Sequence, residues 1–189
     1  MAKLIYAILA SLDGYVADEK GNFDWAAPDE DVHAAINALA HPTAIFLLGR
    51  RMYEVLVAWE TMDVAGEPRV VSDFADMWRA ADKVVYSRTL TNVSSARTRV
   101  ERDFDPDAIR RLKESTSRDI SIGGPELAGQ ALRVGLLDEC HLFLMPLVVG
   151  GGKRFLPDGT RADLRLLTER RFASGAVHIG YRVNTARSS

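Results

Sequence analysis

Residues Asp119 to Pro157 read DISIGGPELAGQALRVGLLDECHLFLMPLVVGGGKRFLP, and the fold is decided in this stretch. Asp119 to Ile122 is a short β-branched run that stops at Gly123-Gly124. Pro125 suits the first position of a helix, and Leu127, Ala128, Ala131, Leu132 and Gly135 then follow helical spacing. Strand, glycine turn and helix are therefore predicted, with the helix ending at Gly135. Adjacent glycines can take positive φ and carry no Cβ, so a ligand can approach the backbone closely. A helix start adds unpaired N–H groups and a partial positive charge, which makes phosphate the natural guest. The competing reading is a pair that only turns the chain, since neither GxGxxG nor the Walker sequence is present. Cys140 to Val149 follows as an apolar run suited to a buried strand, closed by Gly150-Gly151-Gly152.

The same succession recurs upstream. Lys3 to Ala10 is nearly continuous in apolar residues and suits a central strand; Ser11-Leu12-Asp13-Gly14 turns the chain into the short extended piece Tyr15-Val16-Ala17. Asp29-Glu30-Asp31 precedes Val32, Ala35, Ile36 and Leu39, the spacing of an amphipathic helix, and three carboxylates at its start suit the helix dipole. Thr43 to Leu48 is a buried strand ending at Gly49, and Arg50 opens a helix with Met52, Val55, Leu56 and Trp59 on one face. Val71 to Ala81 is helical, Lys83 to Tyr86 is a strand, and Ser87-Arg88-Thr89 lies at its carboxyl end. A short strand at Arg97 to Glu101 leads to an N-cap at Asp105, with Pro106 starting a helix that runs to Ser115. Arg165 to Phe172 and Val177 to Val183 read as strands that close one edge antiparallel, and Asn184 to Ser189 as a frayed polar tail.

Alternating strands and helices imply an α/β fold with a mostly parallel sheet, helices on both faces and ligands at the carboxyl ends of the strands. Gly49, Ser87 and Gly123 each follow a strand and so share one edge, the layout an extended dinucleotide needs. With 189 residues, 47% of them hydrophobic, the expectation is one domain over 1–189. A net charge of −2 gives no electrostatic case for nucleic acid or anionic membrane, so small molecules are the expected partners. No apolar stretch approaches the about 20 residues of a membrane helix, and the apolar N-terminus reads as a strand rather than a signal peptide, so a cytoplasmic location is expected. The single cysteine, Cys140, excludes an intrachain disulfide and reads as a buried core thiol; the four histidines are scattered without a metal-ligand pattern.

ISIGGPELAGQAL with LLDECHLFLMPLVVGGGKRF resembles the C-terminal half of the dihydrofolate reductase superfamily. The version most similar is the reductase domain of bacterial riboflavin biosynthesis and its stand-alone relatives. FLLGRRMYEVL and SLDGYVA resemble further segments of that superfamily, so the resemblance covers nearly the whole chain. It implies a dihydrofolate reductase-like three-layer fold and a homodimer joined through sheet edges. It also implies NADPH as cofactor, with hydride passing to a C=N or C=O carbon of a pterin-like or ribosylaminopyrimidine-like molecule.

Residue by residue, the resemblance implies cofactor contacts from Ala7 and Val16, from Leu48, Gly49, Arg50, Arg51 and Met52, from Ser87 and Arg88, and from Ile122, Gly123, Gly124, Pro125, Glu126 and Leu127. Met52 stands where the superfamily commonly has threonine. A hydroxyl and an arginine at Ser87-Arg88 suit a 2′-phosphate, which implies NADPH over NADH. Substrate contacts are implied for Ser11, Asp13, Trp25 and Tyr53, although Asp13 also fits a purely structural turn. The acid assisting protonation corresponds to Glu30, or to Asp29 or Asp31 on a shift of one residue; helix capping is the competing role for all three.

Overall fold

The computed structural model describes residues 1–184. Of the tail expected to fray, Asn184 instead ends a strand, and 185–189 lie outside the described residues. The chain runs β1 (Leu4–Ser11), β2 (Tyr15–Ala17), α1 (Glu30–Ala40), β3 (Thr43–Gly49), α2 (Arg50–Leu56), α3 (Arg69–Ala80), β4 (Asp82–Tyr86) and β5 (Thr98–Glu101). It continues with α4 (Pro106–Ser115), β6 (Asp119–Gly123), α5 (Pro125–Arg133), β7 (Glu139–Met145), β8 (Lys153–Arg154), β9 (Asp163–Arg171) and β10 (Val177–Asn184). Short 3-10 turns occupy Asp24–Ala26 and Val57–Glu60.

Eight strands form one sheet in the order β5-β4-β3-β6-β1-β7-β10-β9. The first six are parallel, β10 runs antiparallel to β7, and β9 antiparallel to β10. Strand alternation then divides the core between two faces. Leu4, Tyr6, Ile8, Ile45, Leu47, Ile120 and Ile122 pack with Ile109 of α4 and with Leu127, Ala128 and Ala131 of α5. On the other face Phe46, Leu48 and Val85 meet Tyr53 and Trp78, while Phe143 and Met145 meet Val32 of α1 and Phe172. Asp29 and Asp105 cap α1 and α4, their carboxylates accepting from the Val32 and Asp107 amides at 2.8 and 2.9 Å.

Three features depart from expectation. The apolar run from Cys140 does not continue as a strand to Val149: β7 stops at Met145, before Pro146, which has no N–H to donate to a ladder. The Val149 and Gly150 amides turn to the Asp13 carboxylate instead, at 3.1 and 2.7 Å. Beyond them Lys153 and Arg154 pair with Ala17 and Tyr15 as a two-stranded flap. Gly152 makes that approach possible, because at its φ of +128° a Cβ would stand 2.1 Å from the Ala17 carbonyl oxygen. Finally, Lys83 sits fully buried in β4, where its ammonium donates to the Trp78 and Ala81 carbonyls at 2.7 and 3.0 Å and closes the carboxyl end of α3.

Candidate functional site

The carboxyl ends of β3 and β6 lie side by side, with Leu48 opposite Gly123 in the ladder. Each strand hands directly to a helix through glycine. Gly49 is the N-cap of α2 and Gly124 that of α5, and neither helix start has a side-chain cap. This differs from α1 and α4, whose first amides are taken by Asp29 and Asp105; α3 also lacks a capping side chain but starts after Pro68, away from any strand end. Pro125 has no N–H and the Ala128 amide bonds Gly124, so the amides of Glu126 and Leu127 are the ones left for a ligand at the start of α5. Gly124 has φ +102°, which a residue with a Cβ rarely adopts. Gly123 is constrained differently: a Cβ there would stand 2.9 Å from Met52 Cγ and 3.0 Å from Leu48 Cδ2. Met52 thus packs an apolar wall onto Gly123 where a threonine would offer a hydroxyl. Leu48, Ile122 and Leu127 turn their side chains into the core, leaving only their backbone near this edge.

Next along the edge, the turn after β4 is tightly organised. The Ser87 hydroxyl accepts from the Thr89 and Leu90 amides at 3.3 and 3.0 Å, and Arg102 donates to the Ser87 and Leu90 carbonyls at 3.0 and 2.8 Å. Arg50 reaches across from α2 to the Thr89 hydroxyl at 2.8 Å while pairing with Glu54 at 2.7 Å. Arg88 is held by Asp103, its Nε 2.9 Å and its Nη2 2.5 Å from one carboxylate oxygen. Arg51 is exposed and, among the described residues, has no side-chain hydrogen bond or ion pair.

At the end of β1, Ser11 is fully buried and donates to Asp13 at 2.6 Å while accepting from the Tyr15 amide at 2.9 Å. The Ser11 hydroxyl, with the Val149 and Gly150 amides, lowers the Asp13 carboxyl to about 2. Both oxygens of Asp13 are therefore spent tying the loop after β7 to the turn after β1, which is the structural role for this residue. Beside this tie a polar hollow of about 420 Å³ opens between 18–22 and Val149 to Gly151. Half-buried Val16, in the flap strand β2, packs against the main core, and Lys153 of the flap lies 3.4 Å from Glu126 in the first turn of α5. Ala7 sits mid-strand on β1, half-buried opposite His141.

Tyr53 departs from the substrate role the resemblance implies. Its side chain is buried, and its hydroxyl lies 3.1 Å from Ser95 Oγ and accepts from the Ser94 amide at 2.9 Å, which makes it a core residue under the β4 turn. Trp25 packs against the α1 core, and its Nε1–H is sheltered from solvent with no acceptor among the described residues. Of the three acids, Asp29 is the helix cap, held below the ordinary carboxylate range by Ser174 and the Val32 amide. Glu30 and Asp31 are exposed and, among the described residues, have no side-chain partner. None of the three is enclosed in an apolar pocket.

The sequence profile of the RibD C-terminal domain matches residues 2–178. The chain belongs to the RibD C-terminal domain family. The protein YyaP of Bacillus subtilis (strain 168), itself uncharacterized, is 26% identical over 185 residues, which span 96% of this chain and 95% of YyaP. A putative riboflavin biosynthesis protein from Shewanella sp. PV-4 superposes with a TM-score of 0.76 at 21% identity, covering 97% of this chain and 99% of that one. A diaminohydroxyphosphoribosylaminopyrimidine deaminase/5-amino-6-(5-phosphoribosylamino)uracil reductase from Thermotoga maritima gives 0.68 at 14% identity, with 97% of this chain matching 57% of that longer one. These likenesses establish the dihydrofolate reductase-like fold of this RibD C-terminal domain. Among the described residues no helix is long and apolar enough to cross a membrane.

Local sequence signals pointed to the glycine turns, and both lie on the shared edge. The flap carrying Lys153 and the Arg88–Asp103 pair were not legible. Lys153-Arg154 follows three glycines without any strand pattern, and Asp103 is one carboxylate in an acidic run.

Proposed function

We propose that this RibD C-terminal domain is an NADPH-dependent reductase acting on a C=N or C=O carbon of a pterin-like or ribosylaminopyrimidine-like small molecule. The observation that carries this reading is the pair of uncapped, glycine-led helix starts at the adjacent ends of β3 and β6. Between them the backbone is bare. The nearest atoms to a Cβ on Gly124 would be Gly49 N and Cα and Met52 Cβ, at 3.7 to 3.9 Å, ordinary contacts that leave the turn uncrowded where a pyrophosphate would approach. The residues present suit the cofactor: amides of Glu126 and Leu127 for phosphate, Arg51 as a cation unpaired among the described residues, and Arg50, Thr89 and Arg88 around the adenosine end. When bound, NADPH supplies the hydride.

The protein's part is positioning. Asp13 fixes the loops after β1 and β7 relative to one another, and the flap lies over the start of α5 through Lys153 and Glu126. The Trp25 Nε1–H, sheltered from solvent, has no acceptor among the described residues. With Glu30 and Asp31 open to solvent and Asp29 committed to its cap, the proton reaches the reduced product from water. Calorimetric titration with NADPH tests the cofactor reading, and the absence of binding at millimolar cofactor sinks it. The exposed acids also favour a second reading, a nucleotide-binding protein without turnover; consumption of NADPH with a panel of pterins and aminopyrimidines separates the two.

A further inference from the structure

We propose that Asp103, beside Arg88, sets how strongly this site distinguishes a 2′-phosphorylated dinucleotide from its 2′-hydroxyl counterpart. The inference rests on the reading of the carboxyl edge as a dinucleotide site and adds to it the residue that controls selectivity there.

The pairing of β4 and β5 brings the two side chains together. Their ladder ends with Tyr86 opposite Glu101, and the Ser87 amide continues it by donating to the Glu101 carbonyl at 2.9 Å. Two residues beyond the last pair, on the same face, stand Arg88 and Asp103. Arg102 braces the turn between them from below through the Ser87 and Leu90 carbonyls, so Arg88 points outward, with its side chain 80% exposed. Its Nε and Nη2 both reach Oδ1 of Asp103. The Ser87 hydroxyl already accepts two turn amides, which leaves the Arg88 guanidinium as the strongest phosphate donor on this turn.

The neighbouring acids are committed elsewhere: Glu101 pairs with Arg99 at 3.2 Å, Asp105 with Arg111 at 3.6 Å, and Asp107 with Arg110. Asp103 is the one that reaches the β4 turn, and among the described residues its Oδ2 has no partner. A 2′-phosphate drawn to Arg88 must therefore sit beside a carboxylate and compete with it, which weakens the preference for phosphate. A ribose 2′-hydroxyl meets no such repulsion and finds in Asp103 the acceptor that dinucleotide sites selective for the unphosphorylated cofactor commonly provide. The pair thus narrows the preference for the phosphorylated form.

The test uses the full chain and its Asp103→Asn, Arg88→Ala and doubly substituted variants, titrated with NADPH and NADH, and with adenosine 2′,5′-bisphosphate and AMP to isolate the adenosine end. Asp103→Asn is expected to raise the ratio of the NADH to the NADPH dissociation constant about two- to fivefold, the scale of an exposed charge pair. The Arg88→Ala change should lower the ratio, and in its background Asp103→Asn should raise it again, because the bare carboxylate still repels the 2′-phosphate and still accepts from the 2′-hydroxyl. A purely structural role for Asp103 shifts melting temperature or both affinities together and overturns the proposal, as does an unchanged ratio in Asp103→Asn. If the parent protein binds neither dinucleotide, the cofactor reading itself fails and takes this inference with it.

Discussion

Gly49 and Gly124 face each other backbone to backbone: a Cβ placed on Gly124 would stand 3.7 Å from both the amide nitrogen and the Cα of Gly49. That distance is an ordinary contact, so space alone does not forbid a side chain. The backbone opposes one, because φ at Gly124 is +102° and a positive φ costs a non-glycine residue about 1 to 2 kcal/mol. Gly124→Val is expected to leave the domain folded, with the strand and helix on either side still buried, and to abolish measurable NADPH binding. Titration by fluorescence or calorimetry checks binding, and circular dichroism with a melting curve checks the fold. A folded variant that binds as the parent does would move the phosphate site away from this turn.

The sequence was legible where local chemistry and tertiary need agree. Ile122-Gly123-Gly124-Pro125 carries a strand end, a left-handed turn and a helix start in four adjacent residues, and all three are present. Spacing also identified α1, α3, α4 and the antiparallel β9–β10 pair. It failed where a residue's role depends on a distant partner. Asp13 looks equally like a substrate contact or a turn until the Val149 and Gly150 amides, more than 130 residues away, are seen to consume it. Tyr53 lies within the predicted helix but outside its named apolar face, and only the fold shows its hydroxyl against Ser94 and Ser95. Lys83 reads as the polar start of a strand because the carbonyls it caps belong to the preceding helix.

The outermost strand predicts self-association. All nine residues of β9 are exposed, including Leu164 at 48%, Leu166 at 49% and Leu167 at 40%, and among the described residues its outer edge is unpaired. Leu164 and Leu166 lie opposite Val183 and Tyr181 on one face, while a register shift at Gly180/Tyr181 sets Leu167 apart. An edge bearing this much apolar surface is what a second copy of the chain covers. We expect a dimer at micromolar concentration in sedimentation, and a monomer once Leu164 and Leu166 are both replaced by lysine. A monomeric parent contradicts the expectation.

Burial of Lys83 predicts a large cost for its removal. Its ammonium is fully enclosed, bonds two carbonyls at the end of α3, and lies 4.0 Å from Glu60, whose two oxygens also accept from Trp78 Nε1 and the Ala96 amide at 3.0 and 2.9 Å. Lys83→Met keeps the side-chain volume but strands both carbonyls and leaves Glu60 without its nearby cation. The expected loss is about 2 to 4 kcal/mol in urea unfolding. A variant within about 0.5 kcal/mol of the parent, the range of ordinary surface changes, would show that water replaces the ammonium without penalty.

The paired histidines on β7 and β10 predict an acid limb of instability. His141 Nδ1 lies 3.0 Å from His178 Nε2, His141 Nε2 lies 3.4 Å from Glu139 Oε2, and Lys3 pairs with Glu139 at 2.9 Å. With Glu139 ionised, His141 donates from Nε2 and accepts at Nδ1 from His178, an arrangement complete when both rings are neutral. Burial lowers His141, and burial, His141 and then Arg170 lower His178 to about 4; the His178 ring also stacks on Phe143 at 4.3 Å. Below the unfolded value of about 6.5, the unfolded chain therefore binds protons that the folded chain refuses. The stability is fully present above that pH and is lost as pH falls toward 4. Scaled down for the partial exposure of His178, its share is about 2 kcal/mol. Asp13, held at about 2, loses its contribution only at lower pH, so the window between 6.5 and 4 reports chiefly on the histidines. Urea midpoints of the parent should drop through this window, and those of His178→Gln should drop less. Parallel curves for the two proteins would assign the acid limb to other groups.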